Sequence, residues 1–294
     1  MRSDFPVVLI IYNRHEILKK ILAVLDNVKI KKLYVIADGP KNNKNDIEKV
    51  NKTRKLIEQN YKNLKIKIYS KKNLGLKKRI ITGLDLVFAK EKAAIILEDD
   101  CLPSKDFFMF INIMLKKFEN DKTIASIGGS NHLSEFGKNS SYLKSKYFNS
   151  WGWATWNDRW LKKNLDPKYL LNSKKNYNLQ KYLGSLRAKM YWRFRIWLIK
   201  KERVDSWAYL WSFYNFLNKK KHILPNRNLI NNIGIGKNST NTLRLPYKYF
   251  LKNNKKKYKL NFSFSFLESS RYDSLVEDTV FSKNLINRLR WIFK

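Results

Sequence analysis

Ala93-Ala-Ile-Ile-Leu-Glu-Asp-Asp100 decides the fold. Its first five residues are apolar without alternation, as a strand buried on both faces requires, and they run straight into three consecutive acids. In an open α/β sheet ligands bind beyond the carboxyl ends of the strands, so an acidic strand end is read for chemistry first. Working outward, Leu102-Pro-Ser-Lys-Asp-Phe-Phe108 opens a helix near Ser104. Upstream, Asn73 to about Lys90 is a helix that returns the chain to the sheet. Val7–Ile11 is another continuous apolar run, and residues 15 to 27 place Ile17, Leu18, Ile21, Leu22 and Leu25 at helical spacing. Leu33–Ala37 is a second strand ended by Asp38-Gly39-Pro40, a polar helix spans about 43 to 60, and Ile66–Tyr69 is an alternating strand nearer an edge. Four βα units within roughly 100 residues predict a doubly wound α/β domain.

Beyond Ser104 the regularity fades. Ile124–Ile127 is the next short apolar element, and residues 147 to 216 hold all but one of the nine tryptophans, either as buried packing or as a sugar-stacking surface. Past about residue 245 the chain is Lys-rich and ends in a short basic amphipathic stretch. The division expected is an α/β part at 1–130, an aromatic part of the same domain at 131–245, and a basic C-terminal extension at 246–294.

The 294 residues are 44% hydrophobic and 14% aromatic, which excludes a mainly disordered chain. Lys and Arg total 61 against 24 Asp and Glu, a formal charge of +37. Partners of that surface are anionic: nucleic acid, an acidic membrane leaflet or phosphorylated substrates. The abundance of Lys, Asn and Ile with few Gly and Pro also resembles an AT-rich coding sequence, so only part of the charge is read as functional. Single Cys101 precludes an intramolecular disulfide and suggests a reducing compartment. The N-terminus lacks the long apolar region of a signal peptide, and the apolar runs fall short of the ~20 residues that span a bilayer. The expected location is cytoplasmic, with any membrane contact peripheral and at the inner face.

Three strand ends carry candidate residues: Tyr12-Asn13-Arg14, Asp38, and Glu98-Asp99-Asp100. Adjacent carboxylates repel unless a cation or a set of donors neutralises them. Oxygen ligands without nearby His or Cys suit Mg²⁺ or Mn²⁺, which bridge diphosphate oxygens; the plainer alternative is acids that solvate a turn and favour the following helix N-terminus. Lys77 and Arg79 begin a helix, where backbone N–H groups and cations attract a diphosphate, or simply form a solvated basic turn. Trp151 and Trp153, beside Gly152, are candidates to stack on sugar or to fill a core. Asp205 is the candidate general base, with Asp158 in reserve; Asp205 also fits a helix N-cap before Trp207. His15, His132 and His222 show no ligand spacing.

Pro6–Arg14, Ile96–Asp100 with Asp106–Phe108, Trp151–Trp156, and Asp205-Ser-Trp207 with Asn232–Gly236 together resemble GT-A glycosyltransferases of bacterial family-2 type, on the branch that includes the Golgi N-acetylglucosaminyltransferase initiating complex N-glycan branching. The resemblance covers roughly residues 5 to 242. It implies a GT-A (Rossmann-like), mostly parallel sheet flanked by helices, with an aromatic-rich C-terminal acceptor-binding part. It further implies Asp100 as metal ligand, Glu98 and Asp99 orienting sugar and ribose, Asp38 at the uracil edge, and Asn13 and Arg14 lining the nucleotide pocket. By the same resemblance the donor is a nucleotide sugar, a UDP-sugar in the first instance, and the acceptor a glycan or lipid-linked glycan. Two positions depart from the pattern: Ser206 stands where relatives have a second acid, and Asn241 where they commonly have His. A sugar nucleotidyltransferase would open with a Gly-rich loop after the first strand, which Tyr12-Asn-Arg14 lacks. A basic nucleic-acid-binding protein would use the charge and the aromatics but leaves the acidic triplet without a role.

Overall fold

The computed structural model describes residues 1–61, 65–133, 136, 141–161, 163–172, 182–234 and 266–281. The first half follows the alternation in the sequence: β1 Val7–Ile11, α1 His15–Leu25, β2 Leu33–Ala37, α2 Lys44–Asn60, β3 Lys65–Tyr69, α3 Leu76–Phe88 and β4 Ala93–Glu98. Helix α3 begins at Leu76 rather than Asn73. Gly75, at φ +80°, caps it from the left-handed region, and residues 73–75 form a loop.

The second half gives β5 Cys101–Pro103, α4 Lys105–Lys117, β6 Ile124–Gly128, β7 Tyr142–Ser145, β8 Trp153–Trp156, α5 Asn157–Trp160, α6 Pro167–Asn172, α7 Leu186–Lys200, α8 Trp207–Leu217, β9 Lys221–Pro225, β10 Ile230–Asn232 and α9 Phe266–Val276, which continues as a π turn over Glu277–Phe281. One eight-stranded sheet runs β3-β2-β1-β4-β8-β6-β9-β7, and β5 pairs with β10 in a small antiparallel ribbon. The β3-β2-β1-β4 half is parallel, whereas β8 is antiparallel to both β4 and β6, so the sheet as a whole is mixed. Edge position matches the alternating pattern of β3.

Alternate residues of β1 feed two cores. Val7, Leu9 and Ile11 pack with α1, α2 and α4. Val8 and Ile10 face α3, and the same side holds α7, α8 and the C-terminal helix. Helices therefore cover both faces of an α/β sheet, as the sequence predicts. The aromatic stretch is interior: Trp153, Trp160 and Trp211 are fully buried, with Trp153 stacked on Trp207 at 5.3 Å between ring centroids and 22° between planes.

Of the expected 246–294 extension, the described residues 266–281 pack against the rest of the chain. Tyr272, Val276 and Phe281 lie in the second core. Glu277 takes an ion pair from Lys146 at 2.7 Å and the N–H of Ser185 at 2.5 Å, and Asp273 accepts from Ser145 Oγ at 2.5 Å. Apolar spacing of four residues at 272 and 276, with acids that find partners, docks this helix although Lys dominates the surrounding sequence. The basic terminal stretch Arg288–Lys294 and the 236–241 segment lie outside the described residues.

Candidate active site

Strands β2 and β3 extend the sheet on one side of β1, and β4 lies on the other, so the winding reverses between β1 and β4. A crevice opens at such a switch point. Arg14, three residues past β1, reaches the acids that end β4: its Nη1 lies 2.6 Å from Asp100 Oδ2 and 3.6 Å from Asp99 Oδ1. The Tyr12 N–H donates to Asp99 Oδ2 at 3.1 Å. Gly234, just past β10, packs its Cα against the Asp100 carboxyl so closely that any β-carbon would collide with it. The Ile233 N–H donates to the Asp100 carbonyl.

Three carboxylates here face one guanidinium. Burial, then Asp100 and Asp99, push the Glu98 carboxyl well above the carboxylate range, with Arg14 opposing. Burial and Asp100 raise Asp99 to about 7 against Arg14 and the Tyr12 N–H. This surplus of negative charge suits a hard divalent cation. Among the described residues no cluster of three or more His, Cys, Asp or Glu could enclose a metal by itself. An ion at Asp100 would take its remaining oxygens from phosphate and water, the usual manner of Mg²⁺.

Asp38 lies elsewhere in the chemistry. Its Oδ1 accepts the Gly39 N–H at 2.9 Å and the Leu74 N–H at 2.9 Å, and its Oδ2 accepts Leu74 at 3.1 Å and Gly75 at 3.0 Å. This buried carboxylate, with three backbone donors, fixes the loop before α3. Asn13 is likewise occupied: its Nδ2 donates to Asp46 Oδ1 at 2.6 Å, while the Tyr12 hydroxyl and the Lys41 N–H donate to Asp46 Oδ2, each at 2.6 Å. Burial raises Asp46, but these bonds and the Lys41 charge outweigh it and hold the carboxyl below its ordinary value. Sequence reading missed Asp46 because it sits on a polar helix. Its signal is the N-cap spacing, with Asn43 accepting the Asp46 N–H at 2.9 Å.

The helix-start cations separate. Lys77 lies 3.6 Å from Asp205, both at least one-third exposed, and Asp205 stands against Gly75. Asp205 thus joins the loop that Asp38 organises at the carboxyl end of the sheet. Arg79 instead turns inward and donates to the Ile68 carbonyl at 2.7 Å, bracing α3 on β3. Trp151 is half-buried beside Gly152, which at φ +60° approaches Leu97 and Ile230. Trp153 is fully enclosed in the aromatic core, which removes it from any sugar surface. Asp158 belongs to the other end: the Asn157 N–H bonds the Lys92 carbonyl at the start of β4, and Asp158 pairs with Lys122 and Arg159, each at 2.6 Å. The reserve base is therefore remote from the acidic triplet. His132, half-buried, and His222, fully buried, are lowered by burial to about 4 and about 3 and are neutral.

The sequence matches no protein-family model and no curated protein. Solved structures give distant likenesses. One is the mannosyltransferase PcManGT from Pyrobaculum calidifontis in complex with GDP-Man and Mn²⁺, at 14% identity and TM-score 0.35, over 53% of this chain and 45% of that one. Another is the 4-diphosphocytidyl-2C-methyl-D-erythritol synthase of Anaerococcus prevotii, at 13% identity and TM-score 0.37, over 57% and 76%. A third is the galactosyltransferase LgtC in complex with donor and acceptor sugar analogs, at 11% identity and TM-score 0.36, over 72% and 70%. This chain spans less than half the length of the mannosyltransferase. Scores of this size assign neither family nor activity, so the reading below rests on the site itself.

Proposed function

We propose that this protein is an inverting GT-A glycosyltransferase, moving a sugar from a nucleotide sugar, a UDP-sugar in the first instance, to a glycan or lipid-linked acceptor in cell-surface polysaccharide biosynthesis. The observation that carries the reading is the under-neutralised acidic strand end, Glu98-Asp99-Asp100, joined to Arg14 across the switch point between β1 and β4.

Asp100 would hold Mg²⁺ or Mn²⁺, which would supply positive charge to offset that of the diphosphate. Arg14 and the Tyr12 N–H fix Asp100 and Asp99 in place, and Glu98 and Asp99 accept from sugar or ribose hydroxyls. The N-terminal turn of α3 with Lys77 attracts the diphosphate. Trp151 offers a partly open ring to a sugar face. Asp205, beside Gly75, accepts the proton of the attacking acceptor hydroxyl.

The test is a thermal-shift screen of UDP-, GDP- and CDP-sugars with Mn²⁺ and with EDTA. At least one donor raises the melting temperature only when the cation is present, by an amount equivalent to about 2.7 kcal/mol at a hundredfold excess over Kd. If no nucleotide sugar stabilises the protein under either condition, the reading fails. For a confirmed donor, an NMR spectrum of the product showing the donor's anomeric configuration retained would remove the inverting mechanism.

A further inference from the structure

Helix α7 carries apolar side chains on both of its faces, and among the described residues only one face packs into the core. Ala188, Tyr191, Trp192 and Ile199 are buried, with Trp192 packed edge-on against Phe213 of α8 at 5.3 Å and Phe281 of the π turn at 5.7 Å. The outward face of such a helix is ordinarily polar. Here Leu186 is 72% exposed, Met190 47% and Trp197 41%, and the half-buried Phe194 stacks on Trp197 at 5.9 Å and 15°. Steps of four, four and three residues put these side chains in one line along the helix.

Charge follows the same line. Within Leu186–Lys200 there are five basic residues and no acid. Arg195 is buried between the Tyr191 and Tyr209 rings at 4.9 and 4.7 Å, so it serves the interior. On the helical wheel Arg193 and Lys200 border the apolar line on one side and Arg187 on the other, all three exposed. Arg187 reaches Asp278 at 4.0 Å. Just past the helix the Arg203 guanidinium lies 5.4 Å from the Trp197 ring.

We propose that this face of α7 docks on an anionic phospholipid surface, with Leu186, Met190, Phe194 and Trp197 entering the headgroup boundary and the flanking cations meeting lipid phosphates. An aliphatic and aromatic line edged by Arg and Lys is the make-up of a helix that lies in a membrane interface. Nucleic acid would engage stacking aromatics, but Leu186 and Met190 offer it nothing. No helix among the described residues is long and apolar enough to cross a membrane, so the contact is with the surface. The inference does not depend on the proposed activity. It does orient the molecule: Asp205 follows Arg203 by two residues, so docking brings that wall of the site toward lipid-borne ligands.

The experiment is co-sedimentation of the full chain at low salt with vesicles of phosphatidylcholine alone and of phosphatidylcholine mixed with phosphatidylglycerol, together with quenching by brominated acyl chains. Binding occurs to the anionic vesicles only, and the quenched component of the fluorescence disappears in Trp197→Phe. Arg193→Gln and Lys200→Gln each weaken partitioning about five-fold. Leu186→Glu combined with Trp197→Glu abolishes it while the melting temperature stays at the parental value, because both positions are exposed. Three results overturn the proposal: no binding by the parent, undiminished binding by the double variant, or a concentration-dependent dimer in light scattering that the double variant loses.

Discussion

Two strand ends flank β1 at the same rim of the sheet, and both carry acids, yet they are built in opposite ways. Asp38, after β2, has its carboxylate oxygens filled by the N–H groups of Gly39, Leu74 and Gly75. Glu98, Asp99 and Asp100, at the end of β4, share one guanidinium; burial and then Asp100 push both Glu98 and Asp99 upward, and Asp99 adds to the shift of Glu98. A carboxylate that the backbone satisfies completely is architecture, since nothing is left for a ligand to gain there. Acids held together with charge left over are a place where a cation and a phosphate lower the energy of the whole. The difference separates residues that shape the site from residues that act in it.

The largest expected effect falls on the acting side. Asp205→Asn lowers kcat by about 10²–10⁴ with donor affinity unchanged, and Asp158→Asn, at the remote end of β4, stays near the parental rate. The reverse pattern in single-turnover assays would move the base to Asp158 and undo the present geometry. Next is the shaping side: Asp38→Asn turns an amide toward backbone N–H donors and costs about 1–3 kcal/mol in chemical denaturation, while kcat of the folded fraction holds. Were stability unchanged and donor binding lost, Asp38 would be a ligand contact and the contrast between the two strand ends would collapse.

Buried histidines extend the contrast to pH. His222, whose Nδ1 lies 2.7 Å from Ser126 Oγ, and His132 are both lowered by burial, to about 3 and about 4. Unfolded histidine binds its proton near 6.5, so each contributes stability that is complete above that value. That stability is lost as pH falls through the window down to about 4 for His132 and about 3 for His222. Denaturation midpoints should decline over this range by about 1.4 kcal/mol per pH unit for each histidine, and His222→Asn should flatten the slope. A slope indifferent to the substitution would show that other groups govern acid unfolding. The smallest effect belongs to Glu98→Gln, which fixes the uncharged form that burial and the neighbouring acids already favour without metal: the metal-free protein melts at or slightly above the parental temperature while donor turnover falls. A lower melting temperature would mean that Glu98 is satisfied after all.

The sequence made the first half of the fold legible because β1, β2 and β4 are continuous apolar runs whose five-residue cores admit one reading. It concealed β7, β8, β9 and β10. They are only three to five residues long, and in β8 the run Trp153-Ala-Thr-Trp156 shows no alternation, so burial and sugar contact look alike until its pairing with β4 is known. At the site, Arg14 and Asp100 lie 86 residues apart but each follows a central strand, so position alone made both candidates. Arg79, one turn into α3, suits a phosphate contact equally well by position, and its inward course was not legible in the sequence. Its inward course follows from the Ile68 carbonyl, which only the β3 pairing brings beneath it. Asp46, which holds Tyr12 and Asn13, could be found only through its capping spacing.

The most direct test of the account is titration calorimetry of the stabilising nucleotide sugar against the parent and Asp100→Asn, each with Mn²⁺ and with EDTA. The parent binds only with the cation, and Asp100→Asn loses cation-dependent binding while its melting temperature without ligand stays within a few degrees of the parental value. Equal affinity of the parent and Asp100→Asn, unaffected by EDTA, would contradict it.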